Sequence, residues 1–216
     1  MWDWDFAREI LPDLLRALLV TVQATLLGMS LALVLGLIWA FLRRARYRVV
    51  SMSVFWTVEF IRSTPLLVQI YFLFFVLPDF GIRMSALTTG TLALGLHYSA
   101  YTAEVYRAGI EAVPKGQWEA GIALNISPWH LWRAVILPQA IPPVIPALGN
   151  YLVAMFKDTP LLAAIGILEL LQTAKLIGAE TFRYLEPLTL VGVLVLAISL
   201  LSSRFIRHLE GRFGSR

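Results

Sequence analysis

Charged residues in this chain stand in short groups separated by long apolar runs, and each run is a candidate membrane crossing. Residues 17–42, between Arg16 and Arg43, carry no charge. Roughly 20 residues cross the hydrocarbon of a bilayer at about 1.5 Å of helix rise per residue, so this run spans it with length to spare. It ends on Arg43, Arg44, Arg46 and Arg48. The bias of cationic loops toward the cytoplasm puts that group inside and the N-terminus outside. A second run, 51–77, is interrupted by Glu59 and Arg62 and closes on Pro78-Asp79, which predicts one kinked span returning outward. The third, 84–106, leads back in and closes on Glu104 and Arg107.

The fourth run, 136–157, follows Pro138 with Pro142, Pro143 and Pro146, so it is predicted to be bent or partly unwound. Such breaks persist where they line protein or water. The fifth, 187–205, ends in Arg204, Arg207, Arg212 and Arg216. That basic group places the C-terminus in the cytoplasm, in agreement with an odd number of crossings. Leu161–Leu171 is moderately apolar but too short to cross, and is expected at the outer surface. The alternative is a short sixth span, which would put the C-terminal arginines outside. The expectation is an all-α integral membrane protein, one transmembrane domain over 1–216 with about five helices, and its longest cytoplasmic loop at 111–135.

Composition supports the lipid as main solvent. Of 216 residues, 58% are hydrophobic and 15% charged, and the mean hydropathy is +0.73, more than a soluble core needs. The net charge of +4 sits in clusters beside apolar runs, which fits membrane orientation rather than nucleic acid. Without cysteine there is no disulfide framework, thiolate nucleophile or cysteine metal site. The acidic, aromatic start, Trp2-Asp3-Trp4-Asp5-Phe6, does not read as a cleavable signal peptide. His97 and His130 lack the further ligands that a metal needs.

Loop 111–135 has its own pattern. Pro114 suits the first position of one short helix, and Ser127-Pro128 reads as cap and first turn of a second. On the first, Trp118, Gly121, Ile122 and Asn125 fall on one face, beside Ala120 and Ala123. Small residues allow close approach and large ones anchor, as when an amphipathic helix lies in a partner's groove. A helix resting on lipid headgroups through its tryptophans fits the pattern equally.

The sequence Glu119-Ala120-Gly121, then Asn125, then Val135-Ile136-Leu137-Pro138 resembles the glutamate-alanine-alanine loop of binding-protein-dependent ABC importer permeases. Three positions depart from that pattern: Gly121 for its second alanine, Asn125 for its glycine and Val135 for its isoleucine. Asparagine tolerates the left-handed backbone a glycine supplies at such a turn. Three further stretches, 59–69, 100–107 and 157–161, resemble the polar amino-acid branch, the histidine and glutamine type permeases. Leu124-Asn125 and the run 141–146 look most like permeases for ectoine and hydroxyectoine.

The resemblance implies a type I ABC importer permease fold in the bacterial cytoplasmic membrane. It also implies two cytoplasmic ATPase subunits, a second permease subunit that is a different or an identical chain, and an extracytoplasmic solute-binding protein. ATP and magnesium would sit on the ATPases, with no cofactor on this chain, which carries no Gly-x-x-x-x-Gly-Lys-Ser/Thr phosphate loop. Gln117, Trp118, Glu119, Ala120, Gly121, Ile122, Asn125 and Ser127 would couple to the ATPases.

Candidates for the solute path are Asp158, Tyr151, Thr64 and Gln69. A carboxylate at membrane depth is costly unless it faces a cavity or partner. Asp158 can therefore meet an ammonium or amidinium group, and Tyr151, seven residues earlier, can offer a hydroxyl or an aromatic face. Alternatively Asp158 pairs with Lys157 or with another subunit's arginine, and Tyr151 is interface packing. Glu59 with Arg62, and Glu104 with Arg107, read as structural pairs one turn apart. A secondary transporter or channel working without ATP would share the broken helices and buried charges but not the coupling loop.

Overall fold

The computed structural model describes residues 2–213, and the regular elements among them are all helical. In chain order they are α1 (Trp4–Leu42), α2 (Arg48–Ser63), α3 (Leu66–Tyr71), α4 (Ala86–Glu111), α5 (Lys115–Ala123), α6 (Pro128–His130), α7 (Leu137–Asp158), α8 (Leu170–Thr181) and α9 (Leu185–Phe213). A π-helical stretch, Phe72–Val76, and a 3₁₀ turn, Leu77–Phe80, extend α3. A π-helical stretch, Leu131–Ile136, joins α6 to α7, and a 3₁₀ stretch, Thr159–Ile165, follows α7.

The centre is the pair α1 and α4, which lie close because small residues face each other. Gly28, Ala32, Gly36 and Ala40 recur every four residues on α1, all buried. A methyl group at Gly28 would meet Leu94 Cβ at 3.1 Å, and one at Gly36 would meet the Ser99 carbonyl oxygen at 2.9 Å. Lipid offers helices no hydrophobic reason to associate, so close packing and interhelical hydrogen bonds hold them. Three such bonds join the pair: Thr102 Oγ1 donates to the Ala32 carbonyl at 2.8 Å, Trp39 Nε1 to Ser99 Oγ at 3.0 Å, and the Tyr106 hydroxyl to the Leu33 carbonyl at 3.4 Å.

Helix α1 begins well before residue 17. Asp3 caps it, accepting from the N–H groups of Asp5 (3.0 Å) and Phe6 (3.2 Å), and the Phe6 bond above all holds the Asp3 carboxyl below its usual range. The first third of the helix exposes Asp5, Arg8, Glu9, Asp13 and Arg16. Its inner face, Ile10 and Leu14, packs on Leu170 and Ala174 of α8 and Val191 of α9. Arg183 ties this end down, reaching Asp3 (3.3 Å) and Glu186 (2.8 Å) with its guanidinium 4.2 Å from the Phe6 ring centre.

The second run is broken more sharply than a kink. Arg48–Ser63 and Leu66–Phe80 meet at 103°, because Thr64 (φ −102°, ψ 136°) and Pro65 are extended. Gln69 heals the break: its side-chain amide donates to the carbonyls of Ile61 (2.8 Å) and Thr64 (3.2 Å) and to Thr64 Oγ1 (2.7 Å).

Helix α7 runs through Pro142, Pro143 and Pro146 as continuous helix, not unwound there. The irregular turn lies before them, in the π-helical Leu131–Ile136, where a wider turn gives the Pro138 ring room. Gln139 donates its side-chain amide to the Val135 carbonyl there at 2.8 Å.

Residues 161–171 form no helix of their own. The 3₁₀ stretch ends at Gly166 with φ 81°, a left-handed turn that suits glycine, and the chain reverses into α8. Leu162, Ile165, Ile167 and Leu170 are buried in this reversal. The segment thus packs against the neighbouring helices.

Candidate functional site

Loop 111–136 folds as two short arms pinned together. The first, α5, closes with the N–H of Ile126 on the Gly121 carbonyl (3.0 Å) and that of Asn125 on the Ile122 carbonyl (2.9 Å). That pairing requires a left-handed residue between them, and Asn125 has φ 53°. Gly121 is buried flush against Leu131, whose methyl ends would have to shift to admit a Cβ there. Trp118 and Trp132 meet edge to face at 5.2 Å. Ile110, Val113, Leu131, Ile136 and Ala140 form the seat beneath them.

The outward face therefore differs from the one that helical spacing suggested. Trp118 and Gly121 turn inward. Ile122 (74% exposed), Leu124 (74%) and Trp129 (69%) turn outward, with Gln117, Glu119, Ala120 and Asn125 exposed among them. Helix α5 starts at Lys115, with Pro114 in the capping position. Ser127 is the first-turn cap by backbone, but its hydroxyl bonds the His130 ring (2.8 Å) rather than a helix N–H. Glu119 makes no ion pair among the described residues.

The second arrangement is a polar centre inside the bundle. Asp158, at the end of α7, accepts a 2.7 Å hydrogen bond from the hydroxyl of Tyr98. Tyr98 lies midway along α4, on the order of 20 Å from either end, so the carboxylate is held far from both ends of that helix. Tyr98, Tyr101 and Tyr151 form an aromatic triangle, with centroids 5.5 Å apart for Tyr101–Tyr151 and 6.1 Å for Tyr98 with each of the others. His97 lies 5.2 Å from Tyr101 and is buried, with Nδ1 unpartnered. Arg62 stands 5.5 Å from the Tyr101 ring centre and pairs with Glu59 at 3.5 Å. The Tyr98 corner thus carries a carboxylate and the Tyr101 corner a guanidinium.

Of the four path candidates, Asp158 and Tyr151 meet here. Thr64 and Gln69 lie at the α2–α3 bend, beside a cavity of about 280 Å³ lined with Phe60, Phe72 and Leu96. The Thr64 hydroxyl and the Gln69 amide nitrogen are engaged in the bend itself. Tyr98 and Tyr101 were missed in the sequence, although both sit in the 100–107 stretch or just before it. The pairing Asp158–Tyr98 joins residues 60 apart, for which no local pattern exists.

At the loop end of α4, Glu104 pairs with Arg107 at 2.8 Å as its spacing predicts, and also with Arg43, the C-cap of α1. Arg107 reaches on to Glu111 at 2.5 Å.

A membrane-embedded helical bundle with a polar centre and a pinned, outward-facing apolar loop is the architecture of a transporter's membrane subunit. The chain belongs to the family of binding-protein-dependent transport system inner membrane components, whose model matches residues 32–215. It is 51% identical over 205 residues to a probable amino-acid ABC transporter permease of Sinorhizobium fredii, covering 95% of this chain and 89% of that one. To the glutamine transport system permease GlnP of Escherichia coli it is 35% identical over 213 residues, with 98% and 97% covered. Its fold matches a chain of the crystal structure of an amino acid ABC transporter with histidines at a TM-score of 0.92 and 33% identity, covering 98% and 99%. The fold alone is shared with the MetNI methionine ABC transporter, at TM-score 0.69 and 20% identity.

Proposed function

We propose that this chain is the permease half of an ATP-driven importer for an amino acid or an amino-acid-derived solute. The observation that carries the solute class is the cluster in which Asp158 touches Tyr98 and Arg62 touches Tyr101 of one tyrosine triangle. A carboxylate at one corner and a guanidinium at another, with aromatic rings beside both, suit a zwitterion: its cationic group toward Asp158 and the ring of Tyr151, its carboxylate toward Arg62. The names of the relatives support the amino-acid class. Within it, Leu124-Asn125 and the run 141–146 favour ectoine and hydroxyectoine, whose amidinium would meet Asp158.

Residues 1–216 act as one permease domain of five crossings, with the bent α2–α3 pair as one, the N-terminus outside and the C-terminus inside. Ile122, Leu124 and Trp129 dock on a cytoplasmic ATPase, and Gln117, Glu119, Ala120, Asn125 and Ser127 shape or surround that patch. Two ATPases bind the nucleotide and magnesium, a second permease completes the path, and a binding protein delivers the solute. ATP-driven closure pushes the loops and shifts the bundle between inward-open and outward-open states.

The test is uptake into liposomes carrying the complete transporter with its binding protein. ATP-dependent uptake of labelled ectoine, lost in Glu119→Lys, is the expected result. Uptake of glutamine, histidine or arginine in its place keeps the mechanism and discards the ectoine assignment. Uptake without ATP contradicts the importer reading and returns the chain to the secondary transporters.

A further inference from the structure

The turn between α1 and α2 carries a cation for which the transport reading has no role. The guanidinium carbon of Arg44 stands 5.6 Å from the ring centre of Trp132 and 6.0 Å from that of Trp118. Those rings cross at 82°, so one planar cation addresses both. Trp118 belongs to α5 and Trp132 to the π-helical arm, and the close fit of Gly121 on Leu131 makes the two arms one body.

The hydrophobic seat of that body comes from α4, the loop and α7, and none of its buried residues comes from α1. Arg44, two residues past the end of α1, reaches it through both indoles. Its neighbour Arg43 pairs with Glu104 of α4 and lies 4.9 Å from the Phe55 ring centre. The turn itself is braced, with Ser51 Oγ donating to the Arg43 carbonyl at 2.6 Å. Two adjacent arginines thus join the loop, α1 and α4 at one point. From there α1 follows α4 along its stripe of small residues to the level of Tyr98.

We propose that Arg44 is a positioning residue that relays movement of the ATPase-docking loop to the α1–α4 pair, and so to the polar centre. The inference rests on the docking reading given above. A guanidinium suits this joint better than an ammonium, because its flat, weakly hydrated face stacks on indole while its charge is kept. With Arg44 gone the loop still folds and docks, but its motion reaches the bundle only through the seat on α4 and α7.

The experiment is the number of solute molecules moved per ATP in proteoliposomes holding the full transporter and saturating binding protein. Arg44→Ala is expected to lower that ratio about fivefold, the scale of two partly exposed cation–π contacts, while basal ATP hydrolysis and co-purification of the ATPases stay at wild-type levels. Arg44→Lys falls between. Trp132→Leu, which leaves Arg44 in place, gives a similar fall, and the double variant is no worse than either alone. An unchanged ratio in Arg44→Ala overturns the relay, as do additive losses in the double variant. Loss of the ATPases from Arg44→Ala overturns it too, since the residue would then be holding the docking surface. A wild-type complex that moves solute without ATP removes the docking reading, and the relay with it.

Discussion

Helices α4 and α9 invert the relation between apolarity and burial familiar from soluble proteins. α9 is long and apolar enough to cross a membrane, yet only 17% of its apolar window is buried, and Val193, Leu196, Leu200, Leu201 and Phe205 are each more than half exposed. α4 is less apolar, yet half of its 26 residues are buried, including Thr89, His97, Ser99 and Thr102. The difference follows from the solvent. Large apolar side chains belong where lipid is, while small and polar ones belong where another helix can approach and accept their hydrogen bonds. In this chain the less apolar helix is the interior one, and it carries Tyr98 and Tyr101.

That contrast is broken most severely at Gly36. Gly36→Leu drives a side chain into Ser99 and Thr102 of α4, both backbone and side chain, and overpacking of this kind costs about 3 kcal/mol or more where nothing can give. The expected outcome is a large fall in melting temperature of the detergent-solubilised protein, or no folded protein. Thr102→Val tests one interhelical hydrogen bond. It keeps the shape but removes the donor to the Ala32 carbonyl, for an expected loss of about 1 kcal/mol by the same thermal measurement. Leu200→Ala on α9 is expected to change stability by less than about 0.5 kcal/mol, because its side chain leaves lipid rather than a packed core. A loss at Leu200 equal to that at Thr102 would mean that α9 is covered by a partner.

How much of this was legible in the sequence varies with the physical origin of each feature. The end of α1 at Leu42 and the basic turn after it were plain, because charge marks where lipid stops. The start at Trp4 was not, since the charged first third of α1 is held by packing on α8 and α9 and by the Asp3 cap. The Glu104–Arg107 and Glu59–Arg62 pairs followed from helical spacing alone. Pro65 signalled a break, but its 103° angle depends on the Gln69 amide reaching back to Ile61 and Thr64.

The proline-rich run signalled a disruption, but the irregular turn falls before Pro138 and α7 stays helical through the later prolines. In the loop, the left-handed Asn125 was readable from its place in the motif. The direction of the docking face was not, since Trp118 is turned inward by Trp132, a partner in the other arm. Asp158 drew attention as a carboxylate in an apolar region, whereas the Tyr98 hydroxyl that holds it comes from a different helix.

The central claim, that the polar centre holds the solute's cationic group, is tested most directly by Asp158→Asn in the reconstituted transporter. ATP-driven uptake of the transported solute is expected to fall by at least about tenfold, with binding-protein-independent ATP hydrolysis retained, because the amide keeps an acceptor for Tyr98 but carries no charge for the solute. Uptake at the wild-type rate would contradict it, and would leave Asp158 as a structural partner of Tyr98.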